Sequence, residues 1–450
     1  MKNILLIPFL LALMTSCSKD FLEVKPDKKL VVPATLDDLE AVLDYSDRMN
    51  RSLSSMGDVQ ADDYFWNYAG WSSSSTAYFK NGYIWNKTIY DAGSSGPDWT
   101  SSYQMAFQAN VALEGLEKLE KGYSIDRYNK IKGRALFFRA FAHFLVAQVY
   151  CAPFDKTKDN SEVGIPLRLT ADINTPSRRQ TVKETYDQIL SDLLAAEVLM
   201  PQTEAIKTRP SKSAVQALLS RVYLAMQDYE FALKYADQVI QSQKYPLIDF
   251  NSINLSATYP MEKFNQEVIF HSLQTSAGPI SSTQINIDTT LYTSYGSADL
   301  RKNAWFRMQS GKLRFRGSYD GSTQYFNGLA VDECYLTKAE CLIRLGDYKT
   351  GIKILDSFLT TRHSVYSPII VNSEAEALKI TLWERRKELL LRGVRWTDLR
   401  RLNLANRTQK TLYRNLDGSL YTLLPNSPNY ILPIPPNVVE LTNMSQNERE

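Results

Sequence analysis

The sequence is poor in the residues that most often carry catalysis and metal binding. It has four cysteines and three histidines in 450 residues, and His143, His271 and His363 are too far apart to suggest metal ligands. It also lacks a His-Glu-x-x-His motif, a Gly-x-Ser-x-Gly motif, a phosphate-binding glycine loop and a Cys-x-x-Cys pair. We therefore expect a protein that is not an enzyme and that has no cofactor and no metal centre. His143 lies on an apolar helical face, where a hydrogen-bonded core histidine is expected.

Runs of like charge are also missing. The 52 basic and 49 acidic residues give a net charge of +3, and they are mixed along the chain, which argues against a nucleic-acid partner. Cys334 and Cys341 are seven residues apart in a helical pattern, so their backbones lie about 10 Å apart, beyond the reach of a disulfide. A bridge from Cys151 to either of them stays open, although isolated cysteines on apolar faces are usually core residues.

The first residues have the pattern of a secretory signal. Lys2 precedes an apolar run over 4–14, which is too short to span a bilayer, and small residues follow before Cys17. A cysteine at the cleavage position predicts lipid attachment to Cys17, which would tie the mature chain to a membrane surface. An ordinary signal peptide that happens to contain a cysteine is the alternative.

We expect residues 1–16 to be the signal peptide, residues 17–33 a lipid-anchored tether, and residues 34–450 a single domain large enough to bury a substantial core. Apolar residues at steps of three and four predict helices within that domain. These helices are expected over 36–43, 101–119, 128–150 and 181–200.

Two segments that lie 119 residues apart share one pattern. Residues 214–240 and 335–359 each combine an apolar helix, a tight turn before a tyrosine, and a second helix with small residues where two helices must approach. The pattern resembles the tetratricopeptide repeat, whose hairpins stack because neither can bury its apolar face alone. We therefore predict a mainly α fold, with a superhelical scaffold of helical hairpins that carries long, loop-rich insertions.

The predicted insertions cover residues 58–100 and 245–332. Both are longer than ordinary connections, which favours a functional role. Residues 64–103 hold twelve aromatic side chains in forty positions, nearly three times the chain average of 11%. Flat rings suit the apolar faces of sugars, and neighbouring Asn and Asp side chains can bind sugar hydroxyls. The same rings could take apolar peptide side chains, or could simply pack the insertions onto the helices.

The candidate ligand-binding residues fall into three groups. In the first, we expect exposed rings with acidic and amide partners: Trp66, Tyr68, Trp71 and Tyr83, with Asp62, Asp63 and Asn67. The second and third groups come from the other insertion and could close over the same ligand: Tyr292, Tyr295, Arg301 and Trp305, then Tyr319, Asp320, Tyr325 and Phe326. Because a glycosidase needs only two carboxylates brought together by the fold, Asp62 and Asp63 would be the first residues to consider for hydrolysis.

A charge-rich segment follows the second repeat. An amphipathic helix that begins near Trp383 is expected to stop at Gly393, and a shorter helix follows it to Arg401. Such a helix usually presents a solvated face with ion pairs four residues apart. We expect no site there.

Several of these features, in this order, resemble the SusD/RagB family of surface lipoproteins, which work in nutrient uptake in Bacteroidetes. The matching segments are Cys17 to Leu22, Lys132 to Phe141, the hairpin over 217–240, Glu384 to Arg401, Leu432 to Pro435, and Ser445 to Asn447. Arg392 and Val394 depart from the family, which usually has Glu and His beside the glycine that is Gly393 here. These are scaffold positions, so the departure leaves the functional interpretation intact.

The resemblance implies a tetratricopeptide-like scaffold with long loops, lipid-anchored at the outer membrane and facing the cell exterior. Such a protein lies as a lid on a SusC-like TonB-dependent transporter and captures glycan for import. Capture of peptides is the nearest alternative. A surface glycoside hydrolase and a purely structural scaffold that only binds the transporter are the others.

Overall fold

The computed structural model describes residues 33–51, 55–119, 122–274, 278–280, 286–309 and 311–450. The expected signal peptide, Cys17 and the tether as far as residue 32 lie outside these residues. None of the helices in the described part of the chain has both the length and the apolar character needed to cross a membrane.

Helices dominate the fold, which confirms the predicted mainly α class. The described ranges contain seventeen α-helices: α1 (Leu36–Asp44), α2 (Ser46–Met49), α3 (Met56–Gln60), α4 (Tyr68–Ser73), α5 (Ala77–Tyr83), α6 (Pro97–Glu117), α7 (Ile125–Tyr150), α8 (Val182–Leu199), α9 (Lys212–Ala225), α10 (Tyr229–Gln241), α11 (Thr289–Thr293), α12 (Arg301–Trp305), α13 (Val331–Arg344), α14 (Tyr348–Thr360), α15 (Glu374–Glu388), α16 (Arg395–Leu402) and α17 (Pro436–Thr442). The predicted helices correspond to α1, α6, α7 and α8.

The strands are short, and within the described residues they form antiparallel pairs: β1 with β5, β2 with β3, β4 with β8, β6 with β7, and β9 with β10. Their bounds are β1 (Tyr64–Phe65), β2 (Val163–Pro166), β3 (Arg179–Thr181), β4 (Val268–Phe270), β5 (Asn286–Ile287), β6 (Phe306–Gln309), β7 (Lys312–Phe315), β8 (Leu329–Ala330), β9 (Leu412–Leu416) and β10 (Ser419–Leu423).

Both predicted repeats are helical hairpins, α9–α10 and α13–α14, and α10 packs against α13 so that the hairpins stack. Small residues stand where helices approach closely. Ala232 is fully buried, and its carbonyl accepts a hydrogen bond from Ser220 Oγ at 3.0 Å across the first hairpin. At Gly351 a Cβ atom would lie 2.8 Å from the Ala339 carbonyl oxygen. The close packing of the hairpins therefore requires these small residues.

The repeat extends to the backbone of the turns. Gln227 (φ 59°) and Gly346 (φ 94°) occupy equivalent positions with left-handed conformations. In each turn the next amide, of Asp228 or Asp347, donates to the carbonyl five residues earlier at 2.9 Å. This is the Schellman arrangement, which satisfies the last carbonyls of a helix and turns the chain sharply.

The two predicted insertions are not irregular throughout, because short elements divide them. Helices α3 to α5 and strand β1 lie in or at the start of the first insertion, and β4 to β8 with α11 and α12 lie in the second. The insertions meet where Tyr64 on β1 pairs with Ile287 on β5. The two insertions are therefore in contact with each other at this strand pair.

His143 and the cysteines have the predicted core environments. His143 is fully buried, its Nε2 accepts a hydrogen bond from the Arg168 amide at 3.3 Å, and burial lowers its pKa to about 3. Cys151, Cys334 and Cys341 are buried free thiols.

Candidate functional site

The charge-rich segment over α15 and α16 is buried, so the prediction of a solvated face is wrong. Arg385, Arg386, Lys387 and Glu388 are all nearly inaccessible. A buried charge is tolerated only when it is paired and hydrogen-bonded. The partners here come from both insertions and from α13, so this segment joins the site-bearing loops to the scaffold.

Arg301 is the centre of one part of this ion network. Its guanidinium contacts Asp299 at 2.8 Å, Glu384 at 2.5 Å and Glu388 at 3.1 Å, and the side chain is fully buried. Burial alone would lower the pKa of Arg301, but these carboxylates raise it well above its ordinary value. We predicted Arg301 as a ligand-binding residue, but its guanidinium is committed to holding the second insertion on α15.

A second part of the network contains three buried carboxylates whose oxygens lie within 4.8 Å of one another, from Glu267, Asp332 and Glu388. Each is already bonded to a guanidinium. Arg362 contacts Glu267 at 2.9 Å and Glu388 at 3.0 Å, and Arg392 contacts Asp332 at 3.0 Å. The cluster is therefore an arginine–carboxylate network, and its oxygens are engaged by cations of the protein itself.

Asp62 and Asp63 belong to the same network. Arg395 Nε donates to Asp62 at 2.7 Å, Lys410 Nζ donates to Asp62 at 2.6 Å, and Arg386 Nε donates to Asp63 at 2.8 Å. Burial would raise the pKa of Asp62, but these cations hold it well below the ordinary value. Burial and the Asp62 charge raise the pKa of Asp63. Both carboxylates face the basic side chains, so the expectation that they would bind sugar hydroxyls is corrected.

Two of the four rings expected to be exposed are buried: Trp66 is 4% exposed and Tyr83 is 1% exposed. Tyr83 Oη accepts a hydrogen bond from the Trp66 amide at 2.8 Å. The Arg414 guanidinium lies 4.3 Å from the Tyr83 ring centroid and donates to the Tyr64 carbonyl at 3.0 Å. Tyr83 packs against this buried arginine, and Trp66 packs against Tyr83 with ring centroids 5.8 Å apart, so both rings stabilise the insertion and are not available to a ligand.

The second and third candidate groups are also mostly buried. Tyr295 donates to the Lys387 carbonyl at 2.8 Å, Tyr319 donates to Glu267 at 2.5 Å, and Asp320 lies 3.0 Å from His271. The buried members are Tyr295, Arg301, Trp305, Tyr319, Asp320, Tyr325 and Phe326. Tyr292 alone of these two groups is partly exposed, with Lys302 Nζ 5.0 Å from its ring centroid.

Four rings of the first insertion are not buried: Phe65, Tyr68, Trp71 and Tyr78. Tyr78 packs against Phe79, with ring centroids 4.3 Å apart; the other three we call the aromatic ridge. Phe65 is 44% exposed and Tyr68 is 46% exposed, while Trp71 is partly buried. The Tyr68 and Trp71 ring centroids are 6.0 Å apart. The exposed Asn67 begins α4, where its Oδ1 accepts from the Gly70 amide at 2.8 Å. The ridge therefore places aromatic side chains beside an amide side chain at the surface.

Trp71 is held in place by Lys80 of α5. Trp71 Nε1 donates to the Lys80 carbonyl at 3.1 Å, and Lys80 Nζ lies 5.0 Å from the Trp71 ring centroid. Our sequence prediction omitted Phe65. The alternation along a strand could have identified it, because Tyr64 is buried and its neighbour Phe65 must then point outward.

A cavity of about 560 Å³ lies between α15, α16 and residues 407–410. Its apolar wall includes Leu378, Leu382, Trp383 and Leu399. Its basic residues are Lys379, Arg386, Arg395, Arg407 and Lys410, and we call it the cationic cavity. The sequence prediction missed it. The signal was the spacing on α15, because Leu378 and Leu382 are followed four residues later by Arg386, which places apolar and basic side chains on one helix face.

The comparisons with known proteins agree with this architecture. A family model described as starch-binding and associating with the outer membrane matches residues 20–224, and the SusD family model matches residues 318–449. SusD-like protein P2 of Formosa agariphila is 24% identical over 153 residues, which are 34% of this chain and 28% of that protein. The match thus spans less than a third of that relative's length.

Solved structures share the fold. A SusD superfamily protein from Bacteroides thetaiotaomicron has a TM-score of 0.75 at 20% identity, over 92% of this chain and 100% of that chain. Surface glycan-binding protein A from Bacteroides fluxus has a TM-score of 0.70 at 19% identity, over 93% and 99%. Since two SusD family models match successive parts that make up about three quarters of the sequence, and the helical-hairpin fold agrees with them, the chain belongs to the SusD/RagB family.

Proposed function

We propose that this protein is a lipid-anchored outer-membrane protein that captures oligosaccharide or polysaccharide on the aromatic ridge and delivers it to a SusC-like TonB-dependent transporter. The family descriptions of starch binding and outer-membrane association support this role, as does the glycan-binding relative from Bacteroides fluxus. The observation that carries the proposal is the set of surface rings formed by the exposed Phe65 and Tyr68 and the partly exposed Trp71.

The chemistry of the ridge favours a sugar. Aromatic rings offer flat apolar faces with little conformational entropy to lose, and Tyr and Trp add polar edges. Covering one ring face with the apolar side of a pyranose stabilises the complex by about 1 kcal/mol, estimated from the apolar area removed from water. The side-chain amide of the exposed Asn67 lies beside the rings and could bond to hydroxyls. Because Trp71 is already fixed by Lys80, binding needs little further ordering at that ring.

Removing the Tyr68 ring tests this role. We expect Tyr68→Ala to weaken binding of a polysaccharide about fivefold to tenfold, and Tyr68→Ala with Trp71→Ala to weaken it further, since each ring contributes about 1 kcal/mol. Tyr68→Phe keeps the ring face and should retain most of the affinity. Affinity gel electrophoresis against a panel of polysaccharides, followed by calorimetry with the tightest one, measures this.

The matched control is Tyr45→Ala, because Tyr45 is a similarly exposed tyrosine (51%) between α1 and α2. Its removal should leave the affinity unchanged. Equal affinity of the Tyr68→Ala variant and the unaltered protein would place the ligand elsewhere. If short peptides bound at the ridge and no polysaccharide did, the cargo would be peptide.

We propose binding without hydrolysis. Asp62 and Asp63 are held by Arg395, Lys410 and Arg386, so neither faces a ligand on the ridge. Incubation of the protein with the polysaccharide it binds should release no new reducing ends. If the protein steadily released new reducing ends and Asp63→Asn abolished that release, the protein would be a glycosidase instead.

Cys17 is proposed as the attachment point to the outer membrane. Cys17→Ala should move the protein from the membrane fraction to the soluble fraction, because the acyl chains that hold it would be absent. Gentle extraction of the unaltered protein from its native host should recover a TonB-dependent transporter with it. Membrane retention of the Cys17→Ala variant would contradict lipid anchoring, and extraction without any transporter would contradict the delivery role.

A further inference from the structure

We propose that the cationic cavity binds an acidic unit of the captured glycan, bearing a carboxylate or a sulfate. This inference rests on the proposed glycan-binding function and adds the substrate class. It concerns a place separate from the aromatic ridge, between α15, α16 and the segment that follows α16.

The charge balance of the cavity is positive. Its lining includes five basic side chains, from Lys379, Arg386, Arg395, Arg407 and Lys410. The carboxylates that pair with them are those of Asp62, Asp63, Asp288 and Glu374; Glu374 is 2.9 Å from Arg407 and Asp288 is 4.0 Å from Arg386. Five cations against four carboxylates leave an excess positive charge at the wall of a concave site, where a field is focused on a ligand.

The arginines are already positioned to receive an anion. Arg395 uses Nε and Nη2 on Asp62, and Arg386 uses Nε and Nη2 on Asp63 and on the Asp62 carbonyl. Nη1 of each guanidinium takes no part in these bonds. Because Asp62 and Asp63 fix the two planar groups, a carboxylate or sulfate can bond to them without further ordering of long side chains.

Lys410 supports the same conclusion. Its ammonium contacts Asp62 at 2.6 Å, yet burial and the nearby charges of Arg386 and Arg395 together lower its pKa. Burial is the largest cause, and the two guanidinium groups add to it. An additional anion in the cavity would stabilise the charged form of Lys410.

The apolar wall indicates an organic ligand. Leu378, Leu382 and Leu399 line the cavity beside Trp383, which is partly exposed and whose ring centroid lies 5.3 Å from the Arg386 guanidinium. Leu378 and Leu399 are each only 2% exposed, so the accessible apolar surface is that of Leu382 and Trp383. An inorganic anion would leave this surface uncovered, whereas a sugar ring has an apolar face for it. The volume of about 560 Å³ lies within the range of small-molecule sites, roughly 300 to 1,000 Å³.

The cavity is joined to the ridge by a short segment. Asp62 and Asp63 hold the cavity arginines, and the next two residues form β1, which ends at Phe65 of the ridge. The chain thus passes from the partners of the cavity arginines to the ridge within three residues, and the proposal is that one glycan chain contacts both places. The ridge would recognise ring faces and the cavity an acidic substituent.

The test is calorimetric titration of the full mature chain with three tetrasaccharides: an oligogalacturonate, a sulfated carrageenan fragment and maltotetraose. We expect at least one acidic probe to bind tenfold or more tightly than maltotetraose at 50 mM NaCl, and the advantage to shrink at 300 mM because salt screens the attraction. The carboxylate and sulfate probes distinguish the two sources of charge.

Variants locate the effect. Lys379→Gln with Arg407→Gln should reduce the affinity for the acidic probe about tenfold and leave that for maltotetraose unchanged. Lys349→Gln with Lys353→Gln removes the same charge from exposed positions on α14 and should change neither. Tyr68→Ala should lower the affinity for every tetrasaccharide that binds to the unaltered protein.

The outcomes separate this inference from the proposed function. If maltotetraose bound as tightly as both acidic probes, or if the Lys379 and Arg407 changes had no effect, the acidic-unit inference would be overturned while glycan capture stood. If none of the saccharides bound and a hexaglutamate peptide did, both would be overturned.

Discussion

Replacing Arg301 with leucine is expected to destabilise the fold by about 3 to 5 kcal/mol, the usual effect of removing one partner from a buried ion pair. Arg301 is fully buried and neutralises Asp299, Glu384 and Glu388. Without it, Lys387 is left to neutralise Asp299 and Glu384, and Arg362 to neutralise Glu388. Urea unfolding followed by circular dichroism, with the midpoint compared to that of the unaltered protein, measures the loss.

Arg307→Leu is the control for this change. Arg307 is a partly exposed arginine on β6 whose guanidinium bonds to Gln309 at 3.2 Å, so its removal should cost less than about 1 kcal/mol. If Arg301→Leu unfolded at the same urea concentration as Arg307→Leu, the buried network would not be what holds the second insertion on α15. Should Arg301→Leu give no soluble protein, Arg301→Lys, which keeps the charge but loses the planar fork, should show an intermediate loss.

Asp58→Asn is expected to stabilise the protein, and to do so increasingly as the pH rises. Asp58 is 2% exposed; its Oδ2 accepts from Gln274 and Gly393, and its Oδ1 has no hydrogen-bond partner among the described residues. Burial raises the pKa of Asp58 from 3.8 to about 7. The folded protein therefore retains a proton at Asp58 that the unfolded chain releases above about pH 4.

The sign of the pH dependence follows from that difference. Below about pH 4 the neutral Asp58 side chain makes its full contribution to the free energy of unfolding of the unaltered protein. This contribution is lost as the pH rises to about 7. A shift of about three pKa units corresponds to roughly 4 kcal/mol at most, so the free energy of unfolding of Asp58→Asn should exceed that of the unaltered protein by about 2 to 4 kcal/mol at pH 8. The difference should fall by half or more at pH 5. Urea titrations at the two pH values measure it, and a difference independent of pH would show that Asp58 is ionised throughout.

The helical scaffold was predictable because its signals are local. The turns that carry Gln227 and Gly346, and the small residues such as Gly351, are encoded within hairpins of about thirty residues. His143 was assigned correctly for a similar reason, since its position on an apolar helical face decides its burial. Neither prediction needed knowledge of a distant partner.

The site was less predictable because burial there depends on residues far along the chain. Tyr83 is covered by Arg414, which is 331 positions away, and Asp63 is paired with Arg386, which is 323 positions away. The prediction of a solvated face assumed that the charges of α15 pair with neighbours about four residues away on the same helix. Here the partners come from two insertions, so α15 is buried, Trp66 and Tyr83 are core, and only part of the predicted aromatic group stays at the surface.

The most direct test of glycan capture at the ridge is a crystal structure of the protein with the tightest-binding oligosaccharide. We expect a sugar ring stacked on Tyr68 or Trp71 at van der Waals distance, with a hydroxyl bonded to Asn67. A sugar bound elsewhere, with Phe65, Tyr68 and Trp71 uncovered in a fully occupied complex, would contradict the role proposed for the ridge.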